Sequence, residues 1–145
     1  MQDGIKGTLQ ASQIAAGEEN NLTIRVYGEK GGLEWHQQEP NTLTLKYLDK
    51  PMQVLRTGGM HSQRTSANTR TPMGHPEGYL EAFANLYVSF ANAIQDVKAG
   101  TYSKENNYDF PDVNEGVRGM ALVESFVNSS NQETKWYDLA PLLAD

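Results

Sequence analysis

The sequence contains no cysteine, no long apolar run and no cluster of positive charge. The missing cysteines exclude disulfides, thiolate catalysis and cysteine-ligated metals. No apolar run approaches the roughly 20 residues that a membrane span requires, and residues 1–10 lack a signal-peptide pattern. The 12 Lys and Arg residues are scattered among 18 Asp and Glu residues, and the net charge of −6 argues against binding to nucleic acid or a membrane surface. These features favour a cytoplasmic protein, and its 145 residues are enough for one domain with a core.

Several sequence signatures of catalysis are also missing. The 3 histidines are dispersed without a metal-ligand spacing such as His-Glu-x-x-His, and no Gly-x-Ser-x-Gly elbow of a serine hydrolase is present. No Gly-x-Gly-x-x-Gly, the fingerprint of a dinucleotide-binding unit, follows any predicted strand. We therefore predict that this chain binds neither a metal ion nor a nicotinamide cofactor.

The first half of the chain has the pattern of β-strands. Apolar and polar residues alternate in stretches that are separated by short turns rich in Gly, Pro, Asn and Asp. Short turns between such strands are typical of an antiparallel meander. We predict strands over residues 5–15, 22–27, 33–37, 42–48 and 52–57.

The stretch Thr71–Val97 begins as a Pro/Gly loop and continues as the most regular predicted helix. Thr71-Pro72 and His75-Pro76 each bias the residue before proline toward extended geometry, so we expect a rigid polar elbow before Gly78. Beyond it, large apolar residues recur at steps of three and four, and we expect them to form the buried face of the helix. These residues are Leu80, Phe83, Tyr87, Phe90, Ile94 and Val97.

A second helix is predicted to run from Asp112 to about Asn128. Asp112 can cap it, and Glu115 three residues later completes a capping-box pattern. Residues 58–78 are predicted to form a long polar loop, and Trp136–Leu139 a last short strand. Strands followed by helices predict an α+β fold, with an open, mostly antiparallel sheet and two main helices packed on one face.

On each predicted strand, every second residue points to the same face of the sheet, and one of the two sets of alternating residues is polar and carries long side chains. This face is either solvated or a subunit interface made by sheet-on-sheet stacking, which would make the protein a homo-oligomer. His36 has the parity of the polar side. The other residues of this face are Thr8, Gln10, Thr23, Arg25, Tyr27, Thr44 and Lys46.

Three segments carry a resemblance to a known family: GEKGGLEWHQQEPNTL (28–43), RTPMGHPEGYLEAFANLY (70–87) and DFPDVNEGVRGMALVESFVNSS (109–130). Over nearly the whole chain they resemble the C-terminal domain of the Gfo/Idh/MocA family of NAD(P)-dependent oxidoreductases, named for glucose–fructose oxidoreductase and inositol dehydrogenase. The resemblance implies an open sheet similar to that of the C-terminal domain of dihydrodipicolinate reductase. It also implies a Rossmann domain that binds NAD or NADP, together with contacts to substrate and between subunits.

Two departures from the family pattern bear on activity. The family's catalytic lysine lies in a Glu-Lys-Pro motif of the Rossmann domain, whereas Asp49-Lys50-Pro51 is a turn between two predicted strands. The family's proton-relay histidine follows an aspartate by four residues, and no histidine here does so. We therefore expect residues 1–145 to be a substrate-binding and oligomerisation domain that contains no catalytic residue, lacks its Rossmann domain and is inactive alone.

Five residues are candidates for contact with a hydroxyl-rich substrate. His75, beside a helix N-terminus, either exchanges a hydrogen bond with a sugar hydroxyl or locks its loop by bonding the backbone. Arg70 can hold a hydroxyl or a carboxylate, and Glu77 is either a further polar contact or a first-turn helix acid. Trp35 either stacks on a sugar ring or fills the core. Tyr79 either offers its hydroxyl group to the substrate or packs against neighbouring side chains.

The sequence thus predicts the substrate side of an oxidoreductase that transfers a hydride between NAD(P) and a sugar, inositol or related polyol. Its partners would be that small molecule, its own Rossmann domain and further copies of itself. The alternative is a stand-alone small-molecule-binding or assembly module without redox activity.

Overall fold

An antiparallel sheet and two long helices dominate the computed structural model, which describes residues 5–58, 63–103, 106 and 108–133. The chain divides into two compact units, one formed by Ile14–Tyr108 and one that combines Met1–Gln13 with Asp109–Asp145. The first unit contains β1 (Thr23–Gly28), β2 (Gly31–His36), β3 (Thr42–Tyr47), β4 (Gln53–Arg56), α1 (Gln63–Asn68) and α2 (Tyr79–Ala99), and the second contains α3 (Val113–Ser130). The α+β class with an open antiparallel sheet is confirmed.

The four strands lie in chain order, β1-β2-β3-β4, and each pairs antiparallel with the next. The register explains why the two faces differ. One face carries the rows Ile24–Trp35–Leu43–Leu55 and Val26–Leu33–Leu45–Gln53. The opposite face carries Arg25–Glu34–Thr44–Val54, flanked by Thr23–His36 and Tyr27–Gly32–Lys46. The predicted polar parity, including His36, is confirmed for β1, β2 and β3, whereas on β4 this face carries the apolar Val54.

The turn between β1 and β2 requires glycine at one position. Gly31 has φ of 155°, and a side chain there would collide with the backbone carbonyl of Lys46 on β3. Glycine at this position thereby lets β2 approach β3 closely at this end of the pair.

Helix α2 begins after Gly78, as predicted, and ends at Ala99, two residues beyond the predicted Val97. The Gly78 backbone N–H donates to Glu81 Oε2 over 2.9 Å at the start, and Gly100, with φ of 72°, closes the end by donating its N–H to the carbonyls of Asp96 and Val97. The expectation that its large apolar residues are buried is wrong. They are exposed, up to 78% for Leu80, whereas the buried residue of the helix is Ala93 at 5%. The spacing identifies an apolar face but not what covers it.

Helix α3 has the predicted capping box. Asp112 accepts hydrogen bonds from the backbone N–H groups of Asn114, at 2.7 Å, and Glu115, at 3.2 Å, and its own N–H donates to Glu115 Oε2 over 3.3 Å. The side chain of Ser125 is buried and donates to the Ala121 carbonyl over 2.6 Å.

Two other sequence expectations are wrong. Residues 5–15 form no strand, because alternation produces a strand only where a neighbour completes the hydrogen-bond ladder, and no strand of the described part of the chain pairs with them. The polar loop 58–78 contains α1, a helix whose six polar and small residues carry no apolar periodicity to predict it. The predicted strand Trp136–Leu139 lies outside the described residues, as does His61.

Candidate functional site

The candidate site is the elbow, residues 70–78, which connects the loop after α1 to the first turn of α2. Its backbone turns at Gly74, where φ is 88°, and its proline residues hold the chain extended around that turn. Three of the five predicted site residues, Arg70, His75 and Glu77, lie in this segment, and Tyr79 is the first residue of α2. The elbow is therefore where most of the predicted polar contacts converge.

The Glu77 carboxylate connects the end of the elbow to its beginning. Its Oε1 accepts the backbone N–H of Arg70 over 2.5 Å and also the N–H of Thr71. The hydrogen bond from Thr71 N–H holds the pKa of the Glu77 carboxyl below its usual range, so the group stays ionised at neutral pH. Because Glu77 precedes the cap residue Gly78, it is not the first-turn acid of α2; Glu81 has that position.

Asn41, in the turn between β2 and β3, ties the elbow to the sheet. Its Nδ2 donates to the Glu77 carbonyl over 2.6 Å, and its Oδ1 accepts the Glu77 N–H over 3.2 Å and the Thr57 hydroxyl over 3.0 Å. Both polar ends of one side-chain amide thus hold the backbone N–H and carbonyl of a single residue, Glu77. No local pattern in the sequence predicts this role of Asn41, since its partner lies 36 positions away; its only signal is an amide beside Pro40 in a turn.

The ring of His75 is exposed but oriented. Its Nδ1 lies 3.1 Å from the Pro72 carbonyl oxygen, and its backbone N–H donates to the same oxygen over 3.1 Å. A carbonyl only accepts, so Nδ1 carries the proton, and Nε2 of the neutral ring is left as an acceptor. Nε2 makes no hydrogen bond to the described residues. The ring thus holds the loop through Nδ1 and presents Nε2 as a hydrogen-bond acceptor in a fixed direction.

The remaining predicted residues divide between the elbow and the sheet. Trp35 lies half-buried on the apolar sheet face, and its indole N–H donates to the Pro40 carbonyl over 3.1 Å, which leaves the indole no second donor. Tyr79 is exposed, and its ring lies 4.8 Å from that of Phe83. Arg70 is exposed at the start of the elbow. Pro40 and Asn41 are adjacent, so Trp35 and the elbow are held by the same turn.

A second polar cluster occupies the opposite, polar sheet face. Glu34, whose side chain is 17% exposed, pairs with Arg25 at 3.3 Å, with Lys46, and with His36 Nε2 at 2.6 Å. His36 Nδ1 in turn lies 3.1 Å from the Thr23 hydroxyl. The hydrogen bonds from Lys46 and His36 lower the pKa of Glu34 to about 2. This cluster joins three strands and presents a rigid, charged surface.

Two further observations delimit the site. A polar cavity of about 350 Å³ lies against the C-terminal half of α2, lined by Ser89, Asn92, Gln95, Asp96, Asn106 and Tyr108, and it includes none of the predicted site residues. Among the described residues, no group of three or more His, Asp or Glu side chains can hold a metal ion, and no helix is long and apolar enough to cross a membrane.

The described residues do not fit a nicotinamide dinucleotide. Such cofactors bind where a parallel strand runs through a glycine-rich turn into a helix, so that free N–H groups face the pyrophosphate. All four strands here are antiparallel. The N–H groups of Arg70, Thr71 and Gly78 around the start of α2 already donate to carboxylates of this chain. No chemical step of the cofactor can therefore be assigned to these residues.

Comparison with known proteins agrees with this geometry. Residues 2–139 match the C-terminal alpha/beta domain of the Gfo/Idh/MocA oxidoreductase family. The chain belongs to this family. A curated relative is an uncharacterised oxidoreductase, YfiI, of Bacillus subtilis, 34% identical over 138 residues that cover 94% of this chain and 35% of the relative.

Solved structures of the family share the fold. An oxidoreductase from Sinorhizobium meliloti is 41% identical, with a TM-score of 0.76 over 88% of this chain and 35% of its own. An inositol dehydrogenase homologue from Azotobacter vinelandii, solved with NAD+, is 34% identical, with a TM-score of 0.80 over 88% of this chain and 33% of its own. The same homologue has been solved with NADH and myo-inositol. The chain spans about a third of the length of these relatives.

Proposed function

We propose that this chain is the substrate-side domain of an oxidoreductase that transfers a hydride between NAD(P) and a sugar, inositol or related polyol. Membership of the oxidoreductase family supports the reaction class, and the homologue from Azotobacter vinelandii that was solved with NADH and myo-inositol supports the substrate class. The cofactor would be held by a Rossmann domain outside these 145 residues. The role of this chain is then to bind and orient the alcohol.

One observation carries the assignment of the site: the oriented ring of His75. Its Nδ1–H is committed to the Pro72 carbonyl, so Nε2 offers one acceptor at a fixed position on an exposed surface. A polyol presents several hydroxyl donors, and an acceptor of fixed direction selects among them. His75 is a positioning contact in this proposal, because it holds a hydroxyl group and transfers no proton.

The other four predicted residues complete the proposed surface. Glu77 Oε1 is occupied by the Arg70 and Thr71 N–H groups, so Oε2 is the oxygen that can accept from a substrate hydroxyl. The exposed side chains of Arg70 and Tyr79 flank the elbow and can donate to the same ligand. Trp35 supports the elbow from the sheet through the Pro40 turn. These roles are proposals for this chain.

The test is steady-state kinetics of the full-length enzyme with a panel of sugars and inositols. Loss of one neutral hydrogen bond of about 0.5–1.5 kcal/mol predicts that His75→Ala lowers kcat/KM about tenfold at most, mainly through KM. Met73→Ala, an exposed residue of the same elbow, is the matched control and should leave both constants unchanged. Equal kinetics for His75→Ala and wild type would refute the assignment of this residue.

We further propose that the polar sheet face mediates self-association by sheet-on-sheet stacking. The Glu34 cluster supports this, because its charges are already paired within one copy and can be covered at lower desolvation cost than isolated charges. Thr44→Arg would add a bulky fourth basic side chain around Glu34 in the centre of this face and should weaken association in sedimentation of the full-length protein. Lys30→Glu, in the β1–β2 turn, is the control. Unchanged association of Thr44→Arg would refute the interface.

A further inference from the structure

The elbow contacts the sheet at two points, one on each side of His75. The amide of Asn41, in the β2–β3 turn, binds the backbone of Glu77, two residues after His75. Gly58, which follows β4, lies so close to Met73 that an added Cβ would be 2.7 Å from the Met73 Cα. Met73 stands two residues before His75. The backbone that carries the histidine is therefore held from both directions.

The two points belong to one structure at the end of the sheet. The Thr57 backbone N–H donates to the Asn41 carbonyl over 2.9 Å, and the Thr57 hydroxyl donates to Asn41 Oδ1 over 3.0 Å. We call Asn41, Thr57 and Gly58 the sheet-end clamp. Asn41 directly precedes β3 and Thr57 directly follows β4, beside the paired residues Thr42 and Arg56, so the clamp continues a strand ladder. Sites built on strands are held more accurately than sites built on loops.

The elbow has a separate set of hydrogen bonds within itself. The Glu77 carboxylate accepts the N–H groups of Arg70 and Thr71, and the Pro72 carbonyl accepts both the N–H and the ring Nδ1–H of His75. These bonds orient the ring within the elbow but do not reach the sheet. The clamp is what sets the place of the closed elbow relative to the sheet.

We propose that the sheet-end clamp is a positioning element that determines substrate specificity by fixing where His75 Nε2 lies. This inference rests on the proposed function, in which Nε2 accepts a hydrogen bond from one hydroxyl group of a polyol. An acceptor discriminates between hydroxyl groups only while its position is fixed to within about 0.5 Å. Asn41, Thr57 and Gly58 act through His75 and touch no substrate themselves.

The test is a double-mutant cycle in the full-length enzyme, measured by steady-state kinetics with its best polyol substrate. Asn41→Ala should lower kcat/KM by about threefold to tenfold, mainly through KM, and leave KM for the nicotinamide cofactor unchanged. Because Asn41 acts through His75, adding Asn41→Ala to His75→Ala should cost no more than about twofold further. Single effects that multiply in the double variant would overturn the proposal.

A second readout is the selectivity between two polyol isomers that differ in the orientation of one hydroxyl group. The ratio of their kcat/KM values should fall toward one in Asn41→Ala, as in His75→Ala. Thr57→Val, which keeps the shape of the side chain and removes only the hydroxyl, should shift the ratio in the same direction by about twofold. An unchanged ratio in both clamp variants would contradict a role in specificity.

Asp112→Ala controls for stability, because it removes the cap of α3 in the other compact unit and should leave the polyol KM and the selectivity unchanged. Met73→Ala keeps the N, Cα and Cβ atoms that Gly58 approaches, so it remains a control for the elbow. A change in selectivity in Asp112→Ala as large as in Asn41→Ala would mean that lost stability explains both, and would overturn the proposal.

Failure of this inference differs from failure of the proposed function. Wild-type kinetics for His75→Ala would refute the proposed role of His75, and the positioning role of the clamp with it. A loss for His75→Ala together with wild-type kinetics for Asn41→Ala would overturn the clamp alone and leave the proposed function standing.

Discussion

Asn41 is the most informative residue to perturb, because its amide makes two hydrogen bonds to the backbone of Glu77 in the elbow and one to the Thr57 hydroxyl after β4. Asn41→Ala leaves the N–H and carbonyl of Glu77 and the hydroxyl of Thr57 without this partner. At about 0.5–1.5 kcal/mol each, with some compensation by water, we expect a loss of about 2 kcal/mol in the free energy of unfolding.

The assay is urea unfolding of the 145-residue chain, followed by hydrogen exchange. With a slope of about 1–3 kcal/mol per molar urea, the midpoint should fall by about 1 M. The expected local effect of the substitution is faster hydrogen exchange of the Glu77 amide, which donates to Asn41 Oδ1 over 3.2 Å in the wild type. Asn41→Asp should not rescue the loss, because a carboxylate oxygen would replace the donor that faces the Glu77 carbonyl at 2.6 Å.

Asn92→Ala is the matched control, since Asn92 lies exposed in the middle of α2 and alanine favours a helix. Its midpoint should stay the same or rise slightly. If Asn41→Ala and Asn92→Ala unfold at the same urea concentration and the Glu77 amide exchanges equally fast in both, the turn does not hold the elbow, and the reasoning is wrong.

Three further predictions concern stability. The pKa of Glu34 is lowered from an ordinary 4.5 to about 2. Its contribution to the free energy of unfolding is therefore complete above about pH 4.5 and is lost as the pH falls toward 2. Glu34→Gln should flatten the decrease in stability that is measured between these two pH values. Asp112→Ala removes the cap of α3 and should lower the free energy of unfolding by about 1 kcal/mol, whereas Asp112→Ser should restore most of it. Gly58→Ala should be destabilising by at least about 1 kcal/mol in the same urea assay, because φ is 84° and the new Cβ would lie 2.7 Å from the Met73 Cα; a neutral effect would refute this close contact.

Local patterns predicted the elements that depend on neighbours in sequence. Strand alternation placed β1 to β4, and the spacing that begins beyond Gly78 placed α2. Asp112 and Glu115, three residues apart, predicted the capping box at the start of α3. Each of these signals is read within one element, and each is confirmed.

The sequence could not predict the features that depend on distant partners. The alternation of residues 5–15 does not reveal whether a strand lies beside them, and they form none. The position of Glu77 suggests an acid in the first turn of α2, yet Glu77 precedes the helix and its carboxylate accepts hydrogen bonds from the backbone of Arg70 and Thr71. Asn41 acts on a segment 36 residues later. Of the predicted site, the elbow was located by its prolines, but the contacts that hold it were not.

The most direct test of the central claim is calorimetry of NAD+, NADH, NADP+ and NADPH with the 145-residue chain and with the full-length enzyme. If the chain is a substrate-side domain, the full-length enzyme binds at least one cofactor pair and the 145-residue chain binds none, because its sheet is antiparallel and lacks a dinucleotide-binding turn. Cofactor binding by the 145-residue chain itself would contradict the account and would place a dinucleotide site within these residues.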